Sequence, residues 1–386
     1  MTQRETIERL FAPLREQALV DLAELVDSNS FTRNTQGLRD TADRIAAMAE
    51  RNGLKLHKEP AKGEVEGAFH LIADEARDGL FIGAVGHFDT VHPPDSPFNA
   101  FADEGETLTG PGVQDMKAGI VAAVYGLRLA RELTGRKTLP VKIVFNCDEE
   151  IGSPDSRPLI EDMMRGARAV LVFEGKRAQD NAVVTSRKGI IMGSMTVTGK
   201  AAHAGEAPQD GANAIVEAAR KILAMDALTD HDKGLTVTTG KISGGEVANQ
   251  IPERCESSID IRFRTAADET AVKDAVRDIM ETTHVDGCAT TYELHTARPA
   301  FEKSPDSQEL LELYQKAAKT FGVAVGEKSA GEGSDGNLTA AVGAPTLDGV
   351  GPAGANPHTH QEYINKNSFF ESAMIFALFA ANIMET

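Results

Sequence analysis

The amino-acid sequence predicts an α/β protein whose mostly parallel sheet is interrupted by a smaller inserted domain. Three observations lead there. Short apolar runs alternate with helix-period segments up to about residue 189, a different order of strands and helices follows, and the first rhythm resumes near Pro299. Alternating strands and helices are the pattern of a parallel sheet covered by helices. At 386 residues the chain also exceeds the size at which one hydrophobic core usually stops growing, so two domains are expected.

Taken in order, Met1 to Leu25 alternates charged and apolar residues at helical spacing and has no uninterrupted apolar stretch of the secretory-signal kind. The run Leu80–Val85 reads as a buried strand leading into Gly86-His87-Phe88-Asp89-Thr90-Val91. The loop Gly110-Pro111-Gly112-Val113-Gln114-Asp115 precedes a helix over Met116–Leu133. Val141–Cys147 is a strand that runs into Asp148-Glu149-Glu150, and Ala169–Phe173 is one that ends at Glu174.

The insert reads as strand Ile190–Thr198, helix Ala212–Met225, strands Leu235–Ile242 and Glu256–Phe263, helix Ala267–Thr283 and strand Ala289–Thr296. This βαββαβ order is the split-βαβ, ferredoxin-like unit, a small independent sheet with helices on one face. Helix Glu309–Phe321, strand Ala344–Val350 and helix Asn367–Glu385 then complete the first domain. The expected boundaries are 1–188 and 299–386 for that domain and 189–298 for the insert.

Hydrophobic content of 41% supports buried cores, while 40 basic against 58 acidic residues give a net charge of −18. With no basic tract to offset it, that charge argues against a nucleic-acid partner. No span approaches the length of a membrane helix. Cys147, Cys255 and Cys288 are odd in number and lack C-x-x-C spacing, which excludes a cysteine-based zinc site and suits a reducing, cytoplasmic compartment.

The chemistry lies where the strands run out. Open α/β sheets keep their ligands at the carboxyl ends of the strands, and there this sequence puts His87, Asp89, Asp148-Glu149-Glu150, Glu174 and a loop with His358 and His360. Asp115 comes from a separate loop. Gathering like charges at apolar strand ends is costly unless a cation compensates them. Two histidines and three carboxylates suit zinc, and one shared carboxylate gives each of two ions three protein ligands with room for a water.

The fragments G-H-F-D-T-V, G-P-G-V-Q-D-M-K-A-G, D-E-E-I-G-S, F-E-G, H-A-G and H-T-H-Q-E-Y, in this order, resemble the M20 family of zinc exopeptidases and amidohydrolases. The resemblance covers nearly the whole chain and is closest to the glutamate carboxypeptidase branch. It implies a dizinc exopeptidase domain interrupted by a dimerisation domain, and therefore a homodimer. One zinc is then held by His87, Asp115 and Glu174 and a second by Asp115, Glu150 and His358, with cobalt or manganese as alternative ions. The family spacing H-x-x-x-E-Y selects His358 over His360. A cis peptide between Asp115 and Met116 is also implied.

By the same resemblance Asp89 fixes the tautomer of His87. Glu149 is the general base, taking a proton from water as it attacks an amide carbonyl and returning it to the leaving amine. His203 polarises the carbonyl oxygen and, in related enzymes, can come from the partner subunit. Arg262, Asn249 and Gly333, in the segment Gly331-Glu332-Gly333-Ser334-Asp335, correspond to substrate contacts. Ala182 stands where glutamate carboxypeptidases carry a lysine for the substrate side chain, which argues against strong glutamate preference. The expected activity is release of an amino acid from a short peptide or N-acyl conjugate. An N-acyl-amino-acid deacylase is the alternative, and a non-catalytic, metal-dependent peptide-binding protein is one of another class.

Overall fold

The computed structural model describes residues 2–76 and 79–383, so the last part of the helix expected over Asn367–Glu385 lies outside the described residues. Two compact units emerge. One comprises Met1–Ser186, Lys303–Ser329 and Ser334–Thr386; the other comprises Arg187–Glu302 together with Ala330–Gly333, a short return that the sequence pattern does not mark.

The first unit is built on an eight-stranded sheet. Its order is His57–Pro60, Phe69–Asp74, Val141–Asn146, Ile82–His87, Ala169–Val172, Thr346–Asp348, Ala182–Arg187 and Gly326–Ala330. The four strands from Val141–Asn146 to Thr346–Asp348 run parallel. Phe69–Asp74 joins them antiparallel, as does His57–Pro60 beyond it. The parallel strands are the legible ones because both their faces are covered, which demands a continuous apolar run. Ile82–His87 and Ala169–Val172 are buried at every position, whereas His57–Pro60 is exposed throughout and carries no such signal.

On one face the helices Ala118–Thr134 and Lys366–Ile383 pack on the sheet, with the rings of Phe173 and Phe376 edge to face at 4.9 Å. Gly119 permits this approach, since a Cβ there would lie 2.0 Å from the carbonyl oxygen of Phe173. On the other face Ile160, Met164 and Leu338 cover Val85, Val144 and Val170. The N-terminal helical stretch is two helices, Gln3–Phe11 and Arg15–Val26, separated at Ala12–Leu14 by Pro13, whose ring disfavours a continuous helix.

A second, five-stranded sheet stitches the functional loops together. Its order is Ala102–Asp103, Thr107–Thr109, Tyr363–Asn365, Ala353–Ala355 and Lys176–Arg177. It joins the chain just past Glu174 to the chain flanking His358, and that in turn to the strand leading into the Gly110–Asp115 loop.

The second unit is a four-stranded antiparallel sheet ordered Thr236–Gly244, Arg254–Phe263, Gly189–Thr198 and Ala289–Arg298, with helices Ala214–Asp226 and Ala266–Glu281. Alternating burial along Arg254–Phe263 sends Cys255, Ile259, Ile261 and Phe263 into the helix-covered core. A buried pair locks the two helices: Lys221 Nζ lies 3.3 Å from Glu217 and donates to the carbonyls of Ile279, Met280 and Thr282. Glu217 accepts from the N–H groups of His284 and Val285. Every strand and helix expected of the insert is found, with ends shifted by one or two residues. Among the described residues no helix is long and apolar enough to cross a membrane.

Candidate metal centre and active site

Each candidate ligand is delivered by the end of a parallel strand or by a loop beside it. His87 is the last residue of Ile82–His87 and is 1% exposed. Its Nε2 lies 3.0 Å from Asp115 Oδ1 and 3.4 Å from Glu174 Oε1. The other oxygen of Asp115 lies 3.1 Å from Nε2 of His358, which is also 3.2 Å from Glu150 Oε2. Asp115 thus turns one oxygen to each histidine. Two groups of donor atoms result, His87-Asp115-Glu174 and Asp115-Glu150-His358, each with its ligand atoms within 4.8 Å of one another.

The backbone is specialised at these points. The peptide between Asp115 and Met116 is cis, as the resemblance implies, and both residues break the helical geometry before the helix begins at Ala118. His358 has a φ of 63°, a left-handed conformation that non-glycine residues adopt rarely. His360 is directed elsewhere. Its ring stacks on Phe98 and its Nε2 is 3.4 Å from the hydroxyl of Ser96.

Electrostatics make this arrangement costly for the protein alone. Burial and the charge of Asp115 push Glu174 up to about 8 and Glu150 up to about 7. Burial would raise Asp115 too, but hydrogen bonds from His358 and His87 outweigh it and hold that carboxyl well below the usual range. Hydrogen bonds to Asp115 and Glu150 lift His358 to about 11. Burial depresses His87, yet the charge of Glu174 and hydrogen bonds to Asp115, Asp89 and Glu174 hold it well above an ordinary imidazole. Glu150 Oε1 is buried without a hydrogen-bond partner. Carboxylates crowded at low exposure, one oxygen unpaired, and imidazoles aimed between them fit divalent cations.

Asp89 holds the site in a way the sequence conveys only in part. The contact with Nδ1 of His87 is closer from the carbonyl of Asp89, at 3.0 Å, than from its carboxylate, at 3.4 Å. The carboxylate accepts from Thr32 Oγ1 and from the backbone N–H groups of Glu149 and Glu150, at 2.9, 3.1 and 3.2 Å. Asp89 therefore orients the imidazole and pins the turn carrying both glutamates. Glu149 belongs to neither donor group.

Glu362 serves the site, though the sequence marks it only as a spacing landmark. Fully buried, it accepts from the N–H groups of Gly112, Gln114 and Asp115, at 3.1, 2.7 and 3.1 Å, and lies 3.1 Å from Nε2 of His92. It fixes the loop that presents Asp115. Its place in H-T-H-Q-E-Y is the one signal that could have found it.

His203, Asn249, Arg262 and Gly333 belong to the second unit. Nδ1 of His203 accepts from the N–H groups of Gly205 and Glu206, which leaves the proton of a neutral ring on Nε2. The carbonyl of Asn249 accepts from the N–H of Ala204, so Asn249 and His203 are neighbours. Arg262 presents its fork to Asp260, with Nε and Nη2 donating at 2.8 and 2.9 Å. Ala182 is buried at the start of Ala182–Arg187.

Fold and site together define a class of protein whose parallel sheet carries, at its carboxyl end, a carboxylate-histidine cluster able to hold metal ions. The chain belongs to the M20 peptidases: the family model described as Peptidase family M20/M25/M40 matches residues 83–382. Carboxypeptidase G2 of Pseudomonas sp. (strain RS-16) is 29% identical over 350 residues, covering 89% of this chain and 84% of that protein. The fold also matches a tripeptidase from Staphylococcus aureus, with a TM-score of 0.78, 21% identity and coverage of 96% of this chain and 99% of the other. A Bacillus subtilis protein described as a dinuclear metal-binding peptidase of the M20 family gives a TM-score of 0.71 at 14% identity, covering 97% and 99% of the two chains. This protein is accordingly a metal-dependent peptidase or amidohydrolase.

Because the raised histidines and glutamates hold protons that a cation must displace, metal binding at pH 7 is expected to release protons and to weaken as pH falls. Calorimetric titration of the chelated protein with zinc, in buffers of different ionisation enthalpy, reads that release as a slope. A buffer-independent heat would contradict it.

Proposed function

We propose that this chain is a two-metal, carboxypeptidase-like amidohydrolase that releases an amino acid from a short peptide or an N-acyl conjugate. The observation that carries the reading is the pair of donor groups sharing Asp115, with Glu149 next in sequence to the ligand Glu150 and outside both groups. His87, Asp115 and Glu174 hold one divalent ion, and Asp115, Glu150 and His358 hold the other. The donor set suits zinc, with cobalt or manganese as alternatives. When bound, the ions supply Lewis acidity and a lower pKa for water.

Glu149 takes the proton of the attacking water and delivers it to the leaving nitrogen. Its N–H is pinned on Asp89, so the carboxylate swings from a fixed origin. His203 donates from Nε2 to the carbonyl oxygen as charge develops there. Arg262 receives the free carboxylate of the substrate, with Asp260 holding its fork in a fixed plane. Asn249 and Gly333 contact the substrate. Nothing cationic stands at Ala182, which supports a weak preference for glutamate.

The active form is a homodimer joined through the second unit. Six of the eight large apolar side chains that stay exposed among the described residues belong to it: Met192, Ile215, Val216, Leu223, Ile242 and Val247. Ile242 lies on Thr236–Gly244, an edge strand with one side unpaired in its sheet. The three free cysteines support a reducing, cytoplasmic setting.

Glu149→Gln is expected to keep both metal ions and the fold while losing most turnover, whereas Glu150→Gln weakens metal binding. Metal analysis beside steady-state kinetics separates the two, and near-normal turnover by Glu149→Gln would remove the base from the mechanism. On a panel of dipeptides and N-acyl amino acids, amidating the substrate carboxyl is expected to slow the wild type by about tenfold or more, and Arg262→Ala to narrow that gap. Equal cleavage of free and amidated substrates by the wild type would contradict the role of Arg262. Sedimentation is expected to find a dimer that Leu223→Glu combined with Ile242→Lys turns into a monomer; a monomeric wild type would exclude the interface.

A further inference from the structure

Asp335 is the first residue of the helix Asp335–Ala341, whose N-cap, Ser334, closes the Gly331–Ser334 segment. The chain returns there from the second unit to the first. Its side chain is 1% exposed. One carboxylate oxygen accepts from the side-chain amide of Asn146, 189 positions away in sequence, and the other accepts from the hydroxyl of Ser153 at 2.5 Å.

These two partners bracket the catalytic turn. Asn146 ends the central strand Val141–Asn146, paired in register with His87, and Cys147-Asp148-Glu149-Glu150 follows directly. Ser153 closes the turn with a left-handed φ of 55°. Inside the turn Asp148 serves a different stretch, accepting from the N–H groups of Asp155 and Ser156 and from the Ser156 hydroxyl. The N–H groups of Glu149 and Glu150 go to Asp89. The two ends of the turn are thus tied to one another through Asp335.

We propose that Asp335 is a positioning residue for Glu149, fixing both ends of the turn that carries it. The proposal rests on the reading of Glu149 as the base. It differs from simple core packing in one respect: its effect must pass through Glu149.

A reversal of the pair tests this. Asn146→Asp sets two carboxylates against each other, while adding Asp335→Asn restores a donor opposite an acceptor and leaves an amide oxygen for Ser153. With metal saturating, Asn146→Asp is expected to lower kcat by about tenfold or more with KM changed by less than about threefold, and the double variant to recover most of the loss. In a Glu149→Gln background Asn146→Asp should cost no further activity, whereas a purely structural role costs the same factor in both backgrounds. Asp335→Ala, read through the same cycle, covers the case in which Asn146→Asp does not fold. Wild-type kcat in the folded breaking variant, an equal loss in both backgrounds, or no recovery in the double variant would overturn the proposal. High turnover by Glu149→Gln alone would instead overturn the reading of the base.

Discussion

The carboxylate of Asp115 governs the architecture around it. It lies between two histidines, with Glu150 and Glu174 close enough that its charge adds to burial in raising both. Like charges at such short range in a poorly solvated place are unfavourable until cations sit between them. A fold that nonetheless holds them must fix each one from behind, because a mobile acid would turn to solvent. The polar groups surrounding the site perform that restraint.

Three buried carboxylates do most of it, and none belongs to either donor group. Glu362 takes the N–H groups of the Asp115 loop, Asp89 takes those of Glu149 and Glu150, and Asp335 takes the two ends of their turn. Each accepts several hydrogen bonds, the condition under which a buried carboxylate remains tolerable. The five-stranded sheet adds a hydrogen-bonded constraint by joining the chain after Glu174 to the chain around His358 and the approach to Asp115. Donors far apart in sequence therefore converge within a few ångströms.

What the sequence conveys follows from the range of each interaction. His87, Glu150 and Glu174 were legible because each follows a run whose continuous hydrophobicity marks a strand buried on both faces. The choice between His358 and His360 rests on the family spacing; His358 lies 3.1 Å from Asp115, while His360 stacks on Phe98. The sequence assigns Glu362 and Asp335 no individual role, since their partners lie 247 to 270 and 182 to 189 positions away. The helix read from Met116 starts at Ala118, because the helical period cannot reveal that Asp115 and Met116 depart from helical geometry. The strand His57–Pro60 is not legible for a related reason: an exposed edge has no apolar alternation to detect.

The most direct test of the central claim is anomalous diffraction at the zinc edge from crystals of the metal-loaded protein. Two peaks flanking Asp115 are predicted, one bonded to Oδ1 together with His87 and Glu174, the other to Oδ2 together with Glu150 and His358. A single peak, or two that do not share Asp115, would contradict the account.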